Sequence, residues 1–321
     1  MSTTIGTARG PDEGFRHEAF FYDGLDEFVR GTASFIRDAV DADEPILVVV
    51  SAEKIDLLTA ELGDDAGDVC FADMAQVGAN PARIIPAWHD FVSERSAPGR
   101  RIRGIGEPIG PHRDPDELAE CHRHESLLNL AFADHPDFWL MCPYDTAALA
   151  PEVVAHAHHT HPLVLADGTP SESASFPGLD AVRAPFDEPL PEPPADAAEL
   201  EVWLESLSTI RRFVSGFAAA TDLGDRAADL LMAVNEIATN SVRHGGGRGM
   251  LRLWHEPGKV VCEVRDHGRI AHPLAGRERP VSGQIGGYGL WLANQVCDLV
   301  QLRAFPDGGA VRLHIRVDPS S

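Results

Sequence analysis

With 321 residues, 44% hydrophobic and 24% charged, the chain is long enough for two ordinary globular domains. Its net charge of −23 sits almost wholly in the first part, −22 over residues 1–195 against −1 over residues 196–321. An acidic surface repels phosphate, which argues against nucleic acid or an anionic membrane as its partner. No apolar run reaches membrane-spanning length, the longest being the strand-sized Pro45–Ser51. The five cysteines form no CxxC and read as reduced, buried thiols. Only two lysines occur, Lys54 and Lys259, and neither follows a glycine-rich turn, so any nucleotide site works without a P-loop lysine.

Residues 1–14 lack an apolar signal core and read as a disordered lead of a cytoplasmic protein. Helical spacing at Leu25, Phe28, Val29, Thr32, Phe35, Ile36 and Val40 predicts a first helix, followed by a buried strand at Ile46–Val50. Helices are then expected at Glu53–Leu62, Pro81–Arg95, Pro115–Ala133 and Pro151–His161, with strands at Asp68–Ala72, Arg101–Gly106 and Phe138–Pro143. This alternation predicts a mostly parallel α/β sheet. Residues 166–195, rich in proline and acid, read as a semi-rigid linker.

Beyond the linker, Glu199–Ala220 reads as one long amphipathic helix and Asp225–His244 as a second. Strands are expected at Met250–His255, Lys259–Arg265, Leu299–Phe305 and Ala310–Val317, with Pro306–Gly309 as a turn and a helix from Gly289 to Cys297. Helices interleaved with antiparallel hairpins make a two-layer α/β sandwich.

Three segments of this second domain carry chemistry. On the helix LLMAVNEIATNSVRHG, Glu236, Asn240 and His244 lie four apart on one polar ridge, and a carboxylate with an amide oxygen one turn away can hold Mg²⁺. An ordinary solvated face is the competing reading. VRDHG places Asp266 and Gly268 at a strand end, where a carboxylate can select an exocyclic amine, although D-x-G is also a common turn. GGYGLWLANQVCD puts Gly286, Gly287 and Gly289 before a helix, where backbone N–H groups can approach phosphates.

In order and spacing these segments resemble the N, G1 and G2 boxes of the GHKL (Bergerat-fold) ATPases, most closely the small anti-sigma-factor Ser/Thr kinases of bacteria, over residues 196–317. The resemblance implies ATP and Mg²⁺ as cofactors, Asn240 as the Mg²⁺ ligand, Glu236 as general base and Asp266 as the adenine contact. It puts Gly286, Gly287 and Gly289 on the phosphates and adds His244, Gly268 and Leu290 to the nucleotide site. The partners implied are a sigma factor or an antagonist protein phosphorylated on Ser/Thr, and a homodimer stays open. Where the first box usually reads D-x-G-x-G, Ile270 stands in place of the second glycine and is expected to tighten the approach to the nucleotide. That departure keeps a non-catalytic ATP-dependent switch, or a sensor with a degenerate ATP domain, as alternatives to a kinase. Arg277 and Arg279, between the boxes, read as solvated loop charges, with phosphate contact as the other reading. No histidine lies between His161 and His244, which argues against a histidine autokinase.

In the first domain RHEAFFYD, DEPILVVVS, CHRHESLLN, CPYD and HAHHTHPLV, spread over residues 15–165, resemble the MEDS sensory domain of bacterial regulators. That resemblance implies reception of a signal. The histidines His156, His158, His159 and His161 face different ways on a helix, so exposed and capping roles are expected over a metal site, one shared with His122 and His124 included.

Overall fold

A computed structural model describes residues 14–166, 168–182, 188–221, 223–270, 272–280 and 287–317. The disordered lead expected before residue 14 therefore lies outside the described residues. The chain divides into two compact units, residues 1–78 with 87–182, and residues 79–86 with 183–321.

The first unit is built on β1 (Arg16–Tyr22), α1 (Leu25–Asp41), β2 (Ile46–Val50), α2 (Ala52–Leu62), β3 (Cys70–Asp73), α3 (Met74–Val77), α4 (Ile84–Arg95), β4 (Ile102–Gly106), α5 (Pro115–Ala131), β5 (Phe138–Asp145), α6 (Pro151–Thr160), β6 (Leu163–Ala166), β7 (Thr169–Glu172) and α7 (Leu179–Val182). Its seven strands run in the order β3-β2-β4-β5-β1-β6-β7, parallel except for β7 against β6. β1, quoted above only as a motif, is a strand lying between β5 and β6. β7 and α7 form inside the stretch read as linker: Pro170 starts no trouble there because β7 is an edge strand.

Phe28, Ile36 and Leu58 of α1 and α2 pack with Phe20, Val48, Val50 and Met141 of the sheet. Each such buried side chain contributes about 1.5–3 kcal/mol. α5 starts on a capping box, in which the Asp114 carboxylate accepts from the Glu117 N–H at 2.8 Å and the Glu117 carboxylate accepts from the Asp114 N–H at 3.2 Å. Unlike α1, it buries a polar set that includes Glu120, Arg123, His124, Glu125 and Asn129. A buried polar stripe signals groups that must find partners inside the fold.

The second unit contains β8 (Ala198–Val202), α8 (Leu207–Ala219), α9 (Arg226–His244), β9 (Gly249–Glu256), β10 (Lys259–Asp266), α10 (Tyr288–Val296), β11 (Leu299–Phe305) and β12 (Gly308–Arg316). Its strands form an antiparallel sheet in the order β11-β12-β10-β9-β8. Leu230, Val234, Ile237 and Ala238 of α9, with Ile210 and Val214 of α8, pack on Leu251, Leu253, Cys262, Val264 and Leu313 of one sheet face. The helix expected over Glu199–Ala220 is corrected here. Ala198–Val202 pairs with β9, its alternation of Glu199 and Glu201 outward with Leu200 and Val202 inward being the period of a strand. Ser206 then turns the chain, bonded to both the N–H and the carbonyl of Trp203, before α8 begins. The last turn is also shorter than expected: Phe305 pairs with Gly308, leaving Pro306 and Asp307 as the hairpin loop.

The opposite face of this sheet is polar and buried, with Glu263 paired to Arg312 at 2.7 Å. The carbonyls of Glu188 and Pro191 accept from Arg303 and Arg312 at 2.9 and 2.6 Å, so the end of the expected linker is fastened to β11 and β12. Residues 79–86, the first three residues of α4 among them, belong to this unit: Arg83 donates to the Asn294 and Cys297 carbonyls at 2.8 and 3.0 Å, at the C-terminal end of α10. Among the described residues no helix is long and apolar enough to cross a membrane.

Candidate functional site

α9 holds the polar ridge. Its buried stripe turns Glu236 and Asn240 to a half-buried position, while His244 in the last turn is exposed. α10 meets this ridge through Gly289: a Cβ there would sit 2.5 Å from Asn240 Nδ2 and 3.4 Å from Glu236 Oε2. A side chain at 289 would displace the Asn240 amide, so glycine lets the helix start rest against it, while the approach to Glu236 is ordinary contact. Gly287, the residue before α10, has φ 88°, a left-handed conformation that favours glycine. Leu290 is half-buried, and the loop before α10 is clipped to the helix where Asn294 Nδ2 donates to the Gly276 carbonyl at 2.9 Å. Gly286 lies outside the described residues.

Asp266 ends β10 and meets the other end of α9. Its Oδ1 accepts from the Gly268 N–H at 2.7 Å, and the His267 N–H donates to the Gly245 carbonyl at 3.3 Å. A Cβ on Gly268 would lie 2.8 Å from the His244 carbonyl oxygen. Asp266, Gly268 and His244 thus cluster at the C-terminal end of α9, and Glu236 and Asn240 with Gly289 cluster towards its middle. At 1.5 Å per residue, the axial span from Glu236 to His244 is about 12 Å. A cavity of 630 Å³ opens beside Asp266 and His267, lined also by Arg248, Arg252, Arg265 and Phe305. Glu236 and Asn240 are absent from its lining, since Arg252 and Arg265 belong to the sheet face away from α9.

Ile270 turns towards β12: its Cδ1 lies 3.1 Å from where a Cβ on Gly309 would stand. Arg277 is buried, which corrects the reading of a solvated loop charge, whereas Arg279 is exposed with its guanidinium 5.8 Å from the Trp291 ring centre.

In the first unit the expected histidine group is split. His158 stacks on Phe21, His156 on His122, and His159 Nδ1 donates to the Ala155 carbonyl at 2.9 Å. His161 is wholly buried, against the expectation of exposure, because it follows α6 at the start of the chain's return to the sheet. It faces His17, Glu125 and Cys142. Sequence reading missed these three. Their signal was present, because RHEAFFYD, CHRHESLLN, CPYD and HAHHTHPLV contribute one member each. Burial, and then His161 beside it, lowers the pKa of His17 to about 4, and burial with the Glu125 charge pushes the Cys142 thiol up. Lys54 is engaged with Glu107, with Nζ 2.6 Å from both carboxylate oxygens.

The family model of the MEDS domain, the methanogen/methylotroph DcmR sensory domain, matches residues 16–162, and that of the histidine kinase-like ATPase domain matches residues 200–315. No curated protein matches the chain. Among solved structures, the RsbU and RsbW domains of Rv1364c from Mycobacterium tuberculosis align at 18% identity and a TM-score of 0.29 over 39% of this chain. The alignment spans 34% of that chain, about a third of its length. The protein therefore joins a MEDS sensory domain at its N-terminal side to a histidine kinase-like ATPase domain at its C-terminal side.

Proposed function

We propose that the ATPase domain binds Mg·ATP along α9 and that the chain is a signal-responsive anti-sigma regulator able to phosphorylate Ser/Thr of an antagonist protein. The observation that carries this reading is the seating of Gly289 against Asn240 and Glu236, a close approach that a Cβ would fill. It joins a hard-oxygen donor pair to a helix start, and these are the two parts a magnesium-bound phosphate chain needs.

In this mechanism Asn240 would offer its amide oxygen to the Mg²⁺, which when bound would neutralise phosphate charge. N–H groups at the start of α10 hold phosphate oxygens, while Asp266 accepts from the exocyclic amine of adenine. Glu236 takes the proton of the attacking hydroxyl, and the protein's main task is orientation. The MEDS domain would set, by its signal, whether the ATPase domain engages a sigma factor or its antagonist.

Calorimetric titration of the full chain with Mg·ATP tests the reading. Binding should weaken about tenfold or more when Mg²⁺ is chelated, and Asn240→Ala should remove most of that metal dependence, each tenfold being about 1.4 kcal/mol. No heat at millimolar nucleotide would sink it.

A further inference from the structure

Four side chains from four separate elements meet in the interior of the MEDS domain: His17 on β1, Glu125 on α5, Cys142 on β5 and His161 after α6. All four residues are at most 2% exposed. Glu125 Oε2 lies 3.2 Å from His17 Nε2 and 3.3 Å from His161 Nε2, and Cys142 Sγ lies 3.4 Å from His17 Nε2. Donors placed 2.0–2.3 Å from a tetrahedral metal lie about 3.3–3.7 Å from one another, so these separations are close to the edges of one coordination tetrahedron.

The hydrogen bonds behind the ligand atoms add an independent argument. Asn129 Nδ2 donates to the Thr160 carbonyl at 2.8 Å, which turns Oδ1 to His17 Nδ1 at 3.2 Å as an acceptor. His161 Nδ1 lies 2.9 Å from the Ala157 carbonyl, which can only accept. Both Nδ1 atoms therefore carry the proton, and both neutral rings aim an Nε2 lone pair at the Glu125 carboxylate. Lone pairs facing an anion at 3.2 and 3.3 Å repel unless a cation stands between them. A proton could bridge one ring to the carboxylate. A metal ion serves both rings at once, and backbone or amide oxygens behind each ring are the supports that metal-bound histidines use.

We propose that His17, Glu125, Cys142 and His161 form a closed four-coordinate site for a divalent first-row transition ion of zinc's class. Two imidazole nitrogens, a thiolate and a carboxylate make a donor set of intermediate softness, suited to Zn²⁺ and Co²⁺. On binding, the Cys142 thiol proton leaves to solvent, and the thiolate and carboxylate balance the two positive charges, so the buried site is neutral. With every position taken by protein, the ion would clamp β1, α5, β5 and the end of α6 together.

The test uses the untagged full chain. Elemental analysis should give about one zinc per chain, as isolated or after equimolar zinc is added and excess removed. Zinc-edge X-ray absorption of the parent, which needs no variant, should show one sulfur at about 2.3 Å and three nitrogen or oxygen neighbours at about 2.0–2.2 Å. In cobalt-loaded protein a thiolate-to-cobalt band should appear and be lost in Cys142→Ser, while the weaker tetrahedral bands persist. A folded chain, by far-UV circular dichroism, that stays metal-free in the presence of zinc overturns the proposal and leaves a proton as the bridge. A bound metal with no sulfur neighbour, or with two, overturns it equally.

Discussion

Replacing Gly289 by alanine separates binding from folding. The new Cβ would stand 2.5 Å from Asn240 Nδ2, closer than real side chains come, and 3.4 Å from Glu236 Oε2. The obstruction is the end of a flexible side chain, so Asn240 should swing away at a cost of about 0.5–1.5 kcal/mol for leaving its rotamer. Alanine in place of glycine in a helix returns up to about 1 kcal/mol. Denaturant stability should then stay within about 1 kcal/mol of the parent, while a displaced Asn240 weakens Mg·ATP by about tenfold or more. Gly216→Ala is the control: Gly216 is exposed in α8 with nothing within 4 Å of its would-be Cβ, so stability should rise by about 0.5–1 kcal/mol with nucleotide binding unchanged. A Gly289→Ala chain of parental stability that binds Mg·ATP like the parent would refute the role given to this contact. One destabilised by more than about 3 kcal/mol would show that the clash reaches further than Asn240.

Glu236→Gln keeps size and much hydrogen bonding but cannot act as a base. ATP affinity should stay near the parent's while phosphotransfer to a cognate antagonist falls about 10²-fold or more, and equal transfer by the variant would remove Glu236 from the mechanism. Acid should weaken the MEDS domain through His122, whose pKa is lowered from 6.5 to about 4 by burial and then by His156. Between those values the unfolded chain binds the extra proton, so the stability of the fold drops as pH falls from about 6.5 to about 4. From pH 7 to pH 5 the parent should lose about 2 kcal/mol more than His122→Asn in urea titrations, and parallel losses would discount this histidine.

The sequence made long periodic elements legible. α1 and α9 lie where their apolar spacing places them, because a stripe at helical period has one way to be buried. Leu200, Trp203 and Leu204 mimicked that period across a strand and a turn. Trp203 is 39% and Leu204 64% exposed, so neither belongs to the core stripe the pattern suggested. Local spacing cannot tell a helix from a strand that pairs with β9, some fifty residues away. The ridge of Glu236 and Asn240 was visible because both ride on one helix. The cluster of His17, Glu125, Cys142 and His161 was not, because its members share no element and only the sheet order makes them neighbours. Arg277 escaped for a similar reason: burial of a charge in a loop follows from tertiary packing, which has no period to read.

The position of β1 has a consequence for how the protein is made. This strand is synthesised before every other strand of its sheet, yet it lies between β5 and β6, which follow more than a hundred residues later. At translation speeds of roughly 5–20 residues per second, its neighbours arrive after a delay on the order of ten seconds. Throughout that interval Phe20 and Tyr22, both buried in the finished domain, have no sheet to enter. A strand that must wait and then insert between two others forms contacts of long sequence separation, which fold slowly. The nascent MEDS domain is thus a natural client for a chaperone that shields apolar strands until the central gap in the sheet can be filled.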